Sequence, residues 1–261
     1  MEKFSIKNRK GLKIVGELMK PVNPIGLSFV LHGLSGYKEQ SHIKILADTL
    51  FENSFTVINF DATNSRGESD GKVEDSSMQN HYEDLVDVIN WAKTQDWYKE
   101  PFVLAGQSMG GFAVAKYAED FSNEVKALFL YAAVYSGKEN LEVINKFHPE
   151  EIKNWKETGW KIRKSISRPG TEIKLPWSHM EERLKHDLRT QAFKITMPVL
   201  FVVGGDDTSC PPYQQESFFN LLKNNSHKEL YIIEGASHDF TQESHLKKLK
   251  YIFDKWIKKY E

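Results

Sequence analysis

From residue 26 onward the chain alternates short apolar runs with longer segments of helical period, and this alternation constrains the fold more than any other feature. The runs 26–31, 56–60, 102–105, 127–131, 199–203 and 230–233 have strand length and are too apolar to face water on either side. Segments 42–53, 80–93, 109–118, 212–222 and 245–258 carry apolar residues at helical spacing. Strands buried on both faces and separated by helices predict a mostly parallel sheet covered by helices, an α/β fold. Ahead of it, 3–7 and 12–19 form two strand-like segments joined by the turn Asn8-Arg9-Lys10-Gly11.

One interval breaks the rhythm. More than fifty positions, 137–190, separate two core strands, and a structureless loop of that length is improbable in a compact domain. Segments 139–147 and 178–188 have helical character, and WKIRKSISRPGTEIKLPW is expected to form a hairpin turning at Ser167-Arg168-Pro169-Gly170. The expected organisation is a core domain from 1–136 and 191–261 with 137–190 inserted as a cap.

Composition narrows the function classes. A chain of 261 residues, 40% hydrophobic, can bury a core without disulfides or metals. Its single cysteine, Cys210, cannot close an intramolecular bridge and is read as a packing residue, with a redox role as the alternative. The opening MEKFSIKNRK has no apolar run of signal-peptide type, so a cytoplasmic location is expected. A formal net charge of −1 lacks the basic surplus that drives nucleic-acid binding. The lysines of HLKKLKYIFDKWIKKYE are read as the wet face of a terminal helix packed on the core, not as a membrane anchor.

Residues 106–111 read GQSMGG, at the junction of an apolar run and a helical segment. In open α/β sheets, ligands bind beyond the carboxyl ends of the strands, where Ser108 would sit. A serine hydroxyl becomes a useful nucleophile only beside a base, and the base needs an acid to orient it. Two further strands end in such groups: Phe201-Val202-Val203 runs into Gly204-Gly205-Asp206-Asp207, and Tyr231-Ile232-Ile233 into Glu234-Gly235-Ala236-Ser237-His238. A fourth ends in His32-Gly33. Each is ordinary singly; together, in the order Ser, Asp, His, they form a pattern.

These motifs resemble the α/β-hydrolase superfamily, with GQSMG as nucleophile elbow, GGDD before Pro211 as acid loop and GASH as histidine loop. HGLSGYKEQSH at 32–42 is similar to cinnamoyl and feruloyl esterases and serine aminopeptidase-like hydrolases. The resemblance implies Ser108 as nucleophile, His238 as base and Asp207 as orienting acid. The family's spacing from Gly204 to Pro211 favours Asp207 over Asp206. It further implies the backbone N–H groups of Leu34 and Met109 as oxyanion donors, an ester substrate and no cofactor or metal. Family members often carry Asp-x-Arg-Gly-x-Gly after the next strand, whereas this chain has Asp61-Ala62-Thr63-Asn64-Ser65-Arg66-Gly67-Glu68-Ser69-Asp70-Gly71, which puts substrate analogies in question.

Other chemistries find less support. The nine histidines lack metal-ligand spacing, and His179 with His186 offers no third ligand nearby. No phosphate-binding glycine motif follows a strand. The expected partner is a small-molecule ester, with no nucleic acid and no membrane, and a homodimer left open. An aminopeptidase or amidase would use the same triad with a carboxylate to hold the substrate amine, and Glu150, Glu151, Glu181 and Glu182 are available. A ligand-binding protein that keeps fold and triad without turnover is the alternative from another class. Of the cap tryptophans Trp155, Trp160 and Trp177, one of the pair Trp160 and Trp177, which flank the hairpin, is expected to line the pocket.

Overall fold

Eight strands join into one sheet in the computed structural model, which describes residues 1–164, 170–223 and 225–260. In chain order the strands are β1 (Glu2–Lys7), β2 (Lys13–Met19), β3 (Gly26–Leu31), β4 (Phe55–Asp61), β5 (Phe102–Gln107), β6 (Val125–Tyr131), β7 (Trp160–Lys164), β8 (Glu172–Pro176), β9 (Val199–Gly204) and β10 (Lys228–Ile233). The helices are α1 (Ser41–Glu52), α2 (Met78–Ala92), α3 (Met109–Asp120), α4 (Gly137–Phe147), α5 (Pro149–Thr158), α6 (Trp177–Arg183), α7 (Pro212–Leu221) and α8 (Glu243–Ile257).

The large sheet has the order β1-β2-β4-β3-β5-β6-β9-β10. Only the first two pairings, β1 with β2 and β2 with β4, are antiparallel; the remaining five are parallel. Strands β3, β4, β5 and β9 are buried at every position, which is why their sequences show no alternation. The edge strand β10 differs: Tyr231 and Ile232 are exposed where the sequence pattern predicts a fully covered strand. Helix α1 packs against α8 and α2 against α3, each pair resting on the sheet.

The interval between β6 and β9 holds α4, α5, the two-stranded antiparallel sheet β7-β8, and α6. It has its own apolar cluster of Ile152, Trp155, Ile173, Leu175 and Met180. The predicted turn at Ser167-Arg168-Pro169-Gly170 lies, apart from Gly170, outside the described residues. Helix α6 stops at Arg183, short of the expected 188, and Leu188–Thr190 forms a separate 3₁₀ turn. Helix α5 has no counterpart in the sequence reading. Its inward residues are only Ile152 and Trp155, too few to show a period, and its real signals are Pro149 in the first turn and Gly159, left-handed at φ 76°, as the stop.

This layer leaves and re-enters the core at one point. Ser136 pairs with Asp187, the Gly137 amide donates to the His186 carbonyl at 2.9 Å, and the Leu188 amide donates to the Tyr135 carbonyl at 2.8 Å. A Cβ at Gly137 would lie 1.9 Å from the Arg183 carbonyl oxygen, so only glycine permits the two chain segments to meet. Gly137→Ala is therefore expected to cost about 1–3 kcal/mol through overpacking, measured as a lower midpoint in denaturant melts.

Candidate active site

Strand β5 delivers Ser108 into a backbone conformation with φ 54° and ψ −114°, which a non-glycine residue adopts only under strain. Three hydrogen bonds hold it there. The Ser108 amide donates to the Tyr131 carbonyl at 2.9 Å, and the Ser108 carbonyl accepts from the amides of Phe112 at 3.1 Å and Val134 at 3.2 Å. The glycines of GQSMGG permit the approach: a Cβ at Gly106 would lie 2.4 Å from the Gly110 carbonyl oxygen, and one at Gly110 would lie 2.4 Å from those of Leu31 and His32. Gly33 serves from the other side, where a Cβ would come within 2.9 Å of the Ser108 Cβ.

The loops after β9 and β10 bring an acid and a histidine to the same place. Asp207 Oδ2 accepts from His238 Nδ1–H at 2.7 Å, while Oδ1 accepts the amides of Ser209 at 2.7 Å and Cys210 at 2.8 Å. Asp206 is exposed and takes no part in this pair. Tyr131 donates its hydroxyl to the His238 carbonyl at 2.8 Å, fixing the histidine loop to the strand beside the elbow. With Nδ1 protonated, His238 Nε2 is the acceptor, and the Gln107 amide nitrogen faces it at 3.2 Å. Ser108 and Cys210 line the same cavity.

Electrostatics couple the pair. Burial alone would lower the His238 pKa, but the charge and hydrogen bond of Asp207 outweigh it and raise the imidazole above its ordinary 6.5. Burial would likewise raise Asp207, yet His238 and the two loop amides hold its carboxyl below the usual range. Cys210 lies 1% exposed beside this pair, and burial pushes its thiol well up, away from thiolate chemistry.

The loop carrying Leu34 is held from below. His32 is fully buried, with Nδ1–H donating to the Gly33 carbonyl at 2.7 Å and Nε2 accepting from the Ala62 amide at 3.1 Å; burial keeps the ring neutral. Lys38 is also fully buried, with its ammonium 3.2 Å from Asp61 and 2.6 Å from Glu68, and its amide donates to Asp61 at 2.7 Å. The divergent 61–71 loop thus clamps the Leu34 loop through an ion network, a role that a lone lysine in HGLSGYKEQ did not announce. The Met109 amide opens α3, where first-turn N–H groups have no intrahelical partner.

A cavity of about 740 Å³ lies over these groups, walled by Leu34, Ser108 and His238 below and by the inserted layer above. Its indole is Trp155. Trp160 and Trp177 are not in the wall: Trp160 is 45% exposed on the outer face of β7, and Trp177 packs edge-on against Trp155 at 5.5 Å. The flanks of the hairpin were the wrong place to look because strand register turns Trp160 outward, and the cavity-facing tryptophan sits on the helix α5 that the sequence pattern hides.

Of the four cap acids, Glu151 alone reaches the wall, and it is paired with Lys161 at 2.5 Å. Glu182 instead accepts the amides of Met78 and Gln79 at the start of α2. His179 bonds the Ser76 carbonyl and His186 bonds Glu182, so the two histidines serve separate contacts. Among the described residues no group of three or more His, Cys, Asp or Glu could hold a metal ion, and no helix is long and apolar enough to cross a membrane.

Comparison with known proteins agrees with this architecture. A 31.7 kDa uncharacterized protein of Escherichia coli is 26% identical, spanning 90% of this chain and 91% of its own. Among solved structures, Est1E from Butyrivibrio proteoclasticus with bound ferulic acid superposes with a TM-score of 0.78 at 23% identity, over 98% of each chain. Mouse alpha/beta hydrolase domain-containing protein 10 superposes with a TM-score of 0.76 at 18% identity, over the full length of both. At these identities the structural likeness speaks for the fold, while the family model described as serine aminopeptidase, S33, matches residues 23–245. The chain belongs to that family and has the α/β-hydrolase fold.

Proposed function

We propose that the protein is a serine hydrolase of carboxylic esters, with residues 137–190 as its cap. The observation that carries this reading is the 2.7 Å pair of His238 with a fully buried Asp207 side chain, facing the cavity into which the strained Ser108 projects. In the proposed reaction Ser108 Oγ attacks the acyl carbon while His238 Nε2 takes its proton. The same proton then goes to the departing alcohol, and water repeats the sequence on the acyl-enzyme. The Ser108 hydroxyl must take the place of Gln107 at His238 Nε2; catalytic hydrogen bonds of this kind commonly tighten only when substrate binds. The backbone N–H groups of Leu34 and Met109 are the proposed donors to the oxyanion.

The amide-cleaving alternative is less well supported. An aminopeptidase needs a free carboxylate for the substrate amine; the one cap acid in the described wall, Glu151, is already paired with Lys161, which leaves that task to Asp206 and Asp239 on the acid and histidine loops. The bound ferulic acid of the Butyrivibrio structure, together with the Trp155 indole over this cavity, favours aryl acyl groups among the esters to try first.

Three outcomes test the proposal. Ser108→Ala should abolish both ester turnover and fluorophosphonate labelling in a protein whose circular dichroism is unchanged; labelling that persists would remove Ser108 from the reaction. Asp207→Asn should lower kcat by about 10⁴, whereas Asp206→Asn should leave it near wild type, as judged by steady-state kinetics on one ester. Activity requires neutral His238, whose pKa is raised above 6.5. The acidic limb of kcat/KM should therefore fall at a pH above 6.5, and Asp207→Asn, which removes the raising charge and leaves the lowering effect of burial, should move that limb to lower pH.

A further inference from the structure

The hairpin roof of the cavity inverts the usual order of an amphipathic strand. On β7, Trp160 and Ile162 point to solvent, 45% and 57% exposed, while Lys161 and Arg163 line the cavity. Their cross-strand partners Leu175 and Ile173 line it too. A shift of one residue would turn every β7 side chain to the other face. The register adopted places cations over the nucleophile and leaves two large apolar side chains wet, an arrangement unfavourable to folding alone.

The cations differ in how they are compensated. Lys161 has Glu151. Arg163 reaches only the Ser35 hydroxyl, at 3.5 Å, and among the described residues no carboxylate lies within 4.0 Å of it. Arg183, on α6, is 8% exposed and lines the same cavity. Its Nη1 donates to Asn140 Oδ1 and its Nη2 to the neutral His179 ring at 2.9 Å, while Nε–H has no partner and no described carboxylate lies within 4.0 Å. Trp155, 2% exposed, also presents an unpartnered Nε1–H. The wall's remaining carboxylates, Asp206 and Asp239, flank Asp207 and His238 and do not pair with either arginine. Guanidinium cannot shed its proton to escape burial, so at Arg183 the cost of an uncompensated charge persists until an anion arrives, whereas Arg163 is exposed and solvated and supplies a free cation at the cavity rim.

Building on the ester-hydrolase reading, we propose that the substrate is an anionic ester, whose carboxylate or phosphate is received by Arg163 and Arg183 under the Trp155 indole. Arg163 stands beside Ser35, next to the Leu34 loop, and Arg183 lines the same cavity as Ser108 and Cys210. An anion between them lies close to the reacting ester. Neutral esters of the same length would leave these donors unanswered, which makes the two arginines specificity-determining residues.

The test compares 4-nitrophenyl hydrogen glutarate with its neutral methyl ester, and butanoylglycerol phosphate with butanoylglycerol, to place the charge on the acyl or the alcohol side. One charged member should exceed its neutral partner at least about tenfold in kcat/KM, the effect of one charge-assisted hydrogen bond. That ratio should fall toward one in Arg163→Gln, a change on an exposed strand that the fold tolerates, and in Arg183→Met. Independently of turnover, calorimetry on Ser108→Ala should show tighter binding of the same charged ester, weakened by salt. Ser108-dependent hydrolysis with no charge preference would overturn the anionic-substrate inference and leave the esterase standing. Preferential binding of the charged ester without hydrolysis by the intact protein would do the reverse. Equal binding of charged and neutral members in both pairs overturns the inference outright.

Discussion

The close approach of three backbone segments at Gly33, Gly106 and Gly110 is the constraint on which the rest depends. The chain turns at Ser108 with φ 54° and ψ −114°, and it can do so only because no Cβ stands between β3, β5 and the first turn of α3. Strain at one residue costs on the order of 1–3 kcal/mol and persists here because the carbonyls and amides of Tyr131, Phe112 and Val134 over-determine it. Those three residues lie on β6, on α3 and in the loop after β6. The geometry of the serine is thus set by the core of the sheet, and the sheet in turn must be parallel at this point for its strand ends to deliver Asp207 and His238 to the same side.

What could be read from the residues, and what could not, follows from how local the physics is. The strands other than β10 were legible because burial on both faces leaves an uninterrupted apolar run, and the candidates Ser108, Asp207 and His238 stood out because each lies shortly after a strand-length apolar run. The choice of Asp207 over Asp206 rested on spacing to Pro211, and the structure turns that carboxylate to the histidine. The roof was not legible. Whether Lys161 or Trp160 faces the cavity depends on a pairing register on which WKIRK misleads, since its alternation of Trp160 and Ile162 with Lys161 and Arg163 would turn the apolar pair inward. Helix α5 hid behind two apolar residues and its stop at Gly159, and with it went the position of Trp155. Lys38 could not be recognised as buried because its three carboxylate partners come from two other places in the chain besides Glu39.

The two layers of the molecule carry different tasks. The inserted layer leaves and rejoins the core at Ser136–Gly137 against His186–Leu188, is tied to the start of α2 through Glu182 and His179, and holds its own small core around Trp155 and Met180. Besides the cavity it meets the chemistry at Leu34, which packs against both apolar clusters, and at the loop after β9, where the Asn140 side chain donates to the Ser209 carbonyl at 3.1 Å. Changes in the roof can therefore alter what is bound while leaving the Ser108 elbow and the His238–Asp207 pair undisturbed. Leu34 is where that separation ends: a side chain that touches the roof cluster belongs to the same residue whose N–H is the proposed oxyanion donor.

The contrast between two buried cations bears most directly on the ligand. Lys38, with no exposed surface, is surrounded by Asp61, Glu68 and Glu39, so this chain does answer a buried charge when the charge is structural. Carboxylates are not scarce, since 36 acids accompany 35 lysines and arginines. Among the described residues Arg183 nevertheless has only Asn140 and a neutral histidine, and the exposed Arg163 only a serine hydroxyl. Of the buried cations Lys38 and Arg183, the one without a carboxylate partner among the described residues is the one that faces the cavity. Glu119, also buried without an ion pair among the described residues, escapes the cost by holding its proton, since burial raises its carboxyl to about 8; a guanidinium has no such escape. A deficit located where a ligand must sit is what a binding site for an anion looks like before the anion is added. The same donors that destabilise the roof alone then become the source of discrimination between charged and neutral esters.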